Sequence, residues 1–451
     1  MEKKKPTGIT SGRLFCIFLL TLFTLFYTGF LTRELWFDEV LTLQFAYLPR
    51  AVDIYRSYTI PNNQIIHTIC IHLLLNGGFA PEMLRIFPLL CAAVMIYLLW
   101  RNFAGETGEK PLMLTLGALI LSPPFMLYGS AVRGYMLAAL FCVCALCAAR
   151  KFVFTGNKRF LAGWFIFSLL AVGVMPSALA GIAAAGLYVL PYCGKKFWKN
   201  RKTYYLAVMP FAAFAIFYLP VWHDLQNAFA LKEGWHNGWY ALLALFLAVL
   251  ITLAVPLVCG IFFHRLKLRY WPRTLIWFLP LGGMFLPVSP FPRVWWVLFA
   301  FFALLSAGYL RKMPEKFFPV AAAAVLLWGS LVSLEFSRKL LSPAVSLAGQ
   351  DDFYAPYFAI SGFEPSDTAG FIRQNFPENQ RVFASFEADP FALLYYMPLD
   401  MDVPPGRCRY LARGTVVVLN MAEDPADFEK RFNGRLTEVY CNGFHRVCVL
   451  Q

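Results

Sequence analysis

Apolar residues come in long blocks along this chain, rather than at the spacing of an amphipathic helix or a half-buried strand. The blocks run for about twenty residues between short polar interruptions, the length a helix needs to cross roughly 30 Å of hydrocarbon. They predict spans over 14–31, 84–102, 111–128, 132–149, 160–176, 177–192, 203–221, 239–262, 274–288, 294–310 and 317–335. One apolar run is too short to join them. Residues 65–75 contain His67 and His72 and run into Asn76-Gly77-Gly78, which predicts a juxtamembrane helix on the outer face, with both histidines at the interface. It would lie within one long external loop over 32–84. Beyond about residue 337 the pattern shortens. It predicts a helix over 366–375 with Ser366 as N-cap, a strand over 381–386 and a helix over 390–396. A buried strand over 415–419, a helix over 424–432 and a hairpin over 436–450 turning at Asn442-Gly443 follow. The expected fold is an α-helical polytopic membrane domain of about eleven spans over 1–336, followed by a small extracytoplasmic α/β domain over 337–451.

Composition agrees and narrows the function. Of 451 residues 59% are apolar and only 15% charged, against roughly a quarter charged in soluble domains. A soluble enzyme, a disordered chain and a disulfide-stapled secreted scaffold are excluded. The net charge of +14 is not a nucleic-acid signature, because residues 1–335 carry 29 Lys and Arg against 12 Asp and Glu, while residues 336–451 carry 11 against 14. The surplus belongs to the membrane part. With the N-terminus inside and the first span uncleaved, the alternate loops and the N-terminal tail hold 22 Lys and Arg and the opposite loops seven, the asymmetry expected of cytoplasmic loops. The acidic residues of the membrane part that precede or follow spans on the other side (Glu34, Asp38, Glu39, Asp53, Glu82, Asp224, Glu233) fall in external loops. Such placement fits either plainly polar loops or an external site lined with carboxylates. Of the eleven cysteines only Cys408, Cys441 and Cys448 lie in the outer domain, where one disulfide in any of three pairings is compatible with the sequence.

Candidate chemistry concentrates just after the first span, in Glu34-Leu-Trp-Phe-Asp38-Glu39-Val. Adjacent carboxylates point in different directions on a helix, so Asp38 and Glu39 cannot serve the same atom. One of them, near a low-dielectric surface, can take a proton from a hydroxyl nucleophile; the other suits capping the helix or holding an arginine. Phe37, Leu41 and Phe45 are spaced to lie on the membrane surface. A second polar place is the loop over 221–240, with Trp222, His223, Asp224, Lys232, Glu233, Trp235, His236 and Trp239. Indoles can stack on a sugar ring, and imidazole with carboxylate can meet a phosphate or a divalent cation. The spacing of His223 and His236 is not that of a metal pair, and the tryptophans also fit an interfacial aromatic belt.

The first span followed by Trp36-Phe-Asp38-Glu39 resembles the GT-C membrane glycosyltransferases, and within them the group of protein O-mannosyltransferases and the lipid A aminoarabinose transferase. Other features agree in order. Pro61-Asn62-Asn63 stands where the family has a Pro-Pro-Leu-like motif, and Leu84-Arg85-Ile86-Phe87-Pro88 resembles its Arg-Leu-Pro. Ser122-Pro123 ends a span, Arg133-Gly-Tyr135 resembles an Arg-x-Tyr pattern, and Pro292-Arg293 begins a span where the family often has an Arg-Tyr pair. The chain departs from the pattern in lacking a second proline after Pro61 and in having Val294 after Arg293. The resemblance implies transfer of a sugar from a polyprenyl-phosphate donor to a hydroxyl acceptor (glycan, lipid or protein) on the extracytoplasmic face of a bacterial inner membrane, with inversion at the sugar carbon through attack opposite the leaving group. It implies Asp38 as general base beside Glu39, and Arg133, Arg293 and Tyr135 at the donor phosphate. It also implies substrate contacts from Asn62, Asn63, Arg85, His223, Asp224, Glu233, Trp235 and His236. The residues assign no particular cofactor, and a divalent cation is compatible with them. A transporter of lipid-linked sugars is the rival, but no internal repeat is visible and the middles of the spans are free of charge. A noncatalytic sensor is the third reading, disfavoured by the charged, Trp-rich outer loops.

Overall fold

The computed structural model describes residues 34–57, 63–194, 200–230, 238–263, 271–285, 292–337, 364–401, 408, 410–421 and 423–451. In chain order the helices used below are α1 (Phe37–Ala46), α2 (Ala51–Arg56), α3 (Ile65–Asn76), α4 (Ile86–Thr107), α5 (Glu109–Ile120), α6 (Pro123–Ser130), α7 (Tyr135–Thr155), α8 (Lys158–Val174), α9 (Ala178–Val189), α10 (Arg201–Tyr218), α11 (Trp222–Ala230) and α12 (Gly238–Phe263). They continue with α13 (Trp271–Thr274), α14 (Phe299–Leu310), α15 (Phe318–Ser337), α16 (Pro365–Asn375), α17 (Pro390–Tyr396) and α18 (Pro425–Phe432). Two compact units are distinguished. One holds residues 45–336 together with flanking stretches; the other holds 32–44, 337–339 and 355–451.

In the first unit helices stand at each span position predicted from residue 84 onward, while the predicted span over 14–31 lies outside the described residues. Six of the described helices are long and apolar enough to cross a membrane, or seven with one bent pair counted as a span, and the other predicted spans from residue 84 onward are shorter or 3-10 wound helices. The bent pair is α5 and α6, which meet at 69° where the apolar pattern alone reads one span over 111–128. Ser122-Pro123-Pro124 makes the break. Ser122 takes an extended backbone (ψ 141°), its hydroxyl accepts the Phe125 N–H at 3.4 Å, and the prolines start a new helix without needing its first donors. Proline and glycine also leave 275–285 wound as a 3-10 helix around Pro280 rather than as a regular span. The helices shed apolar surface outward: Phe211, Phe246, Ile261, Phe262 and Leu327 are all exposed, which lipid tolerates and water does not. This is an integral membrane protein.

The helix ends that the charge pattern assigns to the cytoplasm are tied by a partly buried ion cluster. Glu106 accepts from Arg273 at 2.8 Å and faces Arg150 at 3.6 Å, and the Arg273 guanidinium lies 4.0 Å from the Tyr188 ring centre. This joins the ends of α4, α7, α9 and α13 across an apolar bundle.

In the second unit a five-stranded sheet has the order β2-β1-β3-β5-β4, with β1 Val382–Ala384, β2 Asp400–Met401, β3 Val416–Asn420, β4 Leu436–Cys441 and β5 His445–Leu450. The first two pairings are parallel and those to β5 antiparallel. The continuous apolar run of β3 reflects a strand covered on both faces. Val416 and Val418 meet Ala369, Ile372 and Leu393 on one side; Val417 and Leu419 meet Phe428 and Phe432 on the other. The predicted elements therefore stand, with β1 shorter than expected. Ser366 is not the N-cap of α16, which starts after Glu364 with Pro365 in its first turn. Instead the Ser366 hydroxyl donates to Glu34 at 2.6 Å, and the Tyr396 hydroxyl donates to the same carboxylate. No disulfide joins the described cysteines.

His445 anchors this unit from inside. Its Nε2–H donates to the Ala388 carbonyl at 2.9 Å, because a carbonyl can only accept. Its Nδ1 then accepts from the Thr368 hydroxyl at 2.9 Å, and that hydroxyl accepts the Asn442 amide at 3.0 Å. The imidazole is fully buried, and burial pushes its pKa down to about 4.

Candidate functional site

The acidic first turn of α1 is built by the helix it starts. Glu39 sits three residues after Trp36, and its carboxylate accepts the Trp36 N–H at 3.3 Å, the reciprocal half of a capping box. Glu39 thereby holds the helix start, the division of labour expected of two adjacent carboxylates. Asp38 occupies the neighbouring position; its own carbonyl accepts the Thr42 hydroxyl at 2.9 Å. Both acids are buried, Asp38 to 1% exposure, in a position where a negative charge also suits the helix N-terminus. Leu41 is buried as well, which corrects its expected place on the membrane surface. Asp53, the next acid along the loop, is engaged by Arg50 through two contacts of 2.9 Å, which hold its carboxyl below the usual range.

In the first unit a second group of predicted residues comes together around the start of α7. Ala131 is extended, and the Arg133 N–H turns back to its carbonyl at 2.6 Å before α7 begins. Arg133 is buried to 1% exposure, and its guanidinium lies 6.0 Å from the ring centre of Tyr135, itself buried. Tyr135 meets Tyr128 at 4.8 Å between ring centres, and Tyr128 meets Trp296 at 5.5 Å. Trp296 belongs to the turn Pro292–Leu298 that carries the half-buried Arg293, so the two predicted arginine segments are linked through this aromatic stack. Gly134 explains the middle of the Arg-Gly-Tyr motif. A β-carbon there would stand 2.4 Å from Val174 and 3.0 Å from both Gln64 and His67. Its N–H donates to the Gln64 side chain, which fastens the entry of α3 to the arginine segment.

The start of α3 holds the residues that sequence reasoning missed. His67 and His72 are buried rather than interfacial, because α3 lays these positions against the rest of its unit. His72 is satisfied, with Nδ1 at 2.8 Å from the Ala46 carbonyl and Nε2 at 2.9 Å from the Asn76 amide. His67 is not: among the described residues neither ring nitrogen has a hydrogen-bond partner. Such a group costs free energy in a finished core and points to a ligand or a water. Burial first and the nearby Arg133 charge second push its pKa down to about 3, so the ring is neutral. The only sequence signal was its position next to the Pro61-Asn62-Asn63 motif. Asn63 spends its amide hydrogens on the Ile54 and Ser57 carbonyls at 3.2 and 3.1 Å and accepts from Thr68 at 3.2 Å, which makes it a support of the loop between α2 and α3. Arg85 is buried to 1% exposure at the turn that leads into α4.

Compared with solved structures, the chain matches ArnT from Cupriavidus metallidurans in the apo state with a TM-score of 0.57 and 14% identity, over 97% of this chain and 98% of that one. The same protein bound to undecaprenyl phosphate matches with a TM-score of 0.55 and 13% identity, over 98% of both chains. ArnT is a lipid A aminoarabinose transferase of the GT-C superfamily. The chain has the GT-C fold. Arabinosyltransferase EmbB from Mycobacterium smegmatis also aligns, with a TM-score of 0.47 and 13% identity, over 98% of this chain and 46% of that one. No family model matches the sequence. No curated protein matches it.

His223 and Asp224 lie on α11, where His223 is exposed and its Nδ1 accepts the Asn227 amide at 3.0 Å. Asn62, Glu233, Trp235 and His236 fall outside the described residues. Among the described residues no group of three or more His, Cys, Asp or Glu is gathered as a metal would require.

Proposed function

We propose that the chain is a membrane glycosyltransferase that moves a sugar from a polyprenyl-phosphate-linked donor to an acceptor hydroxyl on the extracytoplasmic face. The observation that carries the reading is the burial of one carboxylate, Asp38, and one guanidinium, Arg133, to 1% exposure each, in a chain with a GT-C fold. Buried charge is costly and rarely retained without a use.

In this reaction Asp38 accepts the proton of the acceptor hydroxyl as its oxygen attacks the sugar C1. The bond from C1 to the phosphate oxygen breaks, and its electron pair leaves with the polyprenyl phosphate. The fork of Arg133, together with Arg293, stabilises the charge that builds on that phosphate, with Tyr135 beside them. Attack opposite the leaving group inverts C1. Glu39 keeps the helix start in place, and Arg85 contacts substrate. His67, neutral and polar, is suited to donate one hydrogen bond and accept another. ArnT has been captured with undecaprenyl phosphate, which supports a donor of this kind.

The test is turnover by the full chain in lipid nanodiscs with synthetic polyprenyl-phosphate sugars, read as release of polyprenyl phosphate. Asp38→Asn should lower the rate at least about a hundredfold with unchanged folding. An Asp38→Asn protein as active as the parent would remove the base assignment. Arg293→Ala should raise the donor KM more than the acceptor KM; the opposite split would end its phosphate role.

A further inference from the structure

A second place with the makings of a binding site lies at the far end of α1 and α3. An open cavity of about 340 Å³ is bounded by Tyr47, Pro49, His72, Asn76 and Phe79. Pockets of roughly 300–1,000 Å³ are the usual size for small ligands. Gly78, at φ +84°, ends α3 in a left-handed turn that brings Phe79 to the cavity. Tyr47 and Phe79 are 59% and 46% exposed, so ring faces are open to a ligand.

The polar side of the cavity is set by a relay. The Ala46 carbonyl can only accept, so His72 carries its proton on Nδ1 and donates at 2.8 Å. Nε2 is then a bare acceptor, and the Asn76 group at 2.9 Å from it must be the NH2. The amide is therefore fixed in one orientation, leaving its carbonyl oxygen and its second N–H to the cavity. One acceptor and one donor side by side match a pair of adjacent hydroxyls. Among the described residues no Asp, Glu, Lys or Arg lines the cavity, and the His72 Nδ1–H is already given to Ala46, so an anion would find no fixed countercharge there.

We infer that this cavity is a subsite for a neutral sugar ring of the acceptor, with its C–H face on Tyr47 or Phe79 and a hydroxyl pair on Asn76. Its role as an acceptor subsite rests on the transferase reading; its binding of neutral sugars does not. The experiment uses the full chain in nanodiscs and saturation-transfer NMR with the methyl glycosides of glucose, galactose and mannose, alongside phosphoethanolamine. At least one glycoside should receive saturation at its ring protons. The signal should fall about fivefold in Asn76→Ala and in Phe79→Leu, the scale of one lost hydrogen bond or ring contact. Phe79→Leu keeps the apolar volume, so a loss there with an unchanged unfolding temperature is a loss of ring contact rather than of fold.

Asp38→Asn should bind the glycosides as the parent does. Equal signals in parent and variants would overturn the subsite, as would binding of phosphoethanolamine that Asn76→Ala abolishes, which would mark a phospholipid headgroup site. In turnover, the two variants should raise the acceptor KM about fivefold and leave the donor KM unchanged. If glycoside binding behaves as expected while Asp38→Asn remains active, the transferase reading fails and the sugar site stands.

Discussion

Asp38 and Glu39 are neighbours of similar chemistry, yet the helix start gives them different work. Glu39 reaches back to the Trp36 N–H, as its place three residues into the capping frame allows. That much was legible, because capping is a local matter of spacing. His67 was not legible, since burial of a histidine depends on what lies opposite it, and residues 128–135 are remote in sequence. The contact that places it also makes a prediction. Gly134→Ala puts a methyl group 2.4 Å from Val174 and against the Gln64 side chain, so the start of α7 must shift. A cost of about 1–3 kcal/mol is expected, seen as a lower unfolding temperature together with lost turnover. Parent-like stability would show that α3 and α8 yield easily, and that the motif's glycine has another reason.

Among the elements, the strands and helices of the outer domain were legible because turn residues and alternation bound them closely. The break between α5 and α6 was hidden inside a continuous apolar run, where hydropathy cannot see a proline's effect on direction. His445 shows what a strand position can do that its pattern does not reveal. Above its unfolded pKa near 6.5 the ring is neutral in both states. As pH falls from there toward about 4 the unfolded chain takes up a proton that the folded ring refuses, so stability drains away through that window. The loss should approach roughly 3 kcal/mol. Hydrogen exchange of the β5 amides should accelerate between pH 6.5 and 4 in the parent, and less steeply in His445→Gln. A flat parent profile would mean that the buried ring is not what titrates.

At the level of the whole molecule the uneven charge made the membrane part readable and it predicts an orientation, while the bend within 111–128 and the 3-10 winding of 275–285 were not readable from hydropathy. Helix α9, at 12 residues, is shorter than its apolar block over 177–192 because the chain tightens into a 3-10 turn from Leu190. Orientation can be checked with thiols. Cys441 is exposed in the C-terminal domain and, under the proposed orientation, should react with an impermeant maleimide added to intact spheroplasts. A cysteine placed by Lys312→Cys should react only after permeabilisation. The reverse pattern would invert every loop and place the acidic first turn of α1 on the cytoplasmic side.

Glu34 is grasped by two hydroxyls, one from α16 and one from the end of α17, only four residues ahead of Asp38. The C-terminal module thus works as a mooring for the stretch of chain that bears the proposed base. Amputating it after residue 337 should therefore silence the protein outright, instead of merely widening the range of molecules it accepts.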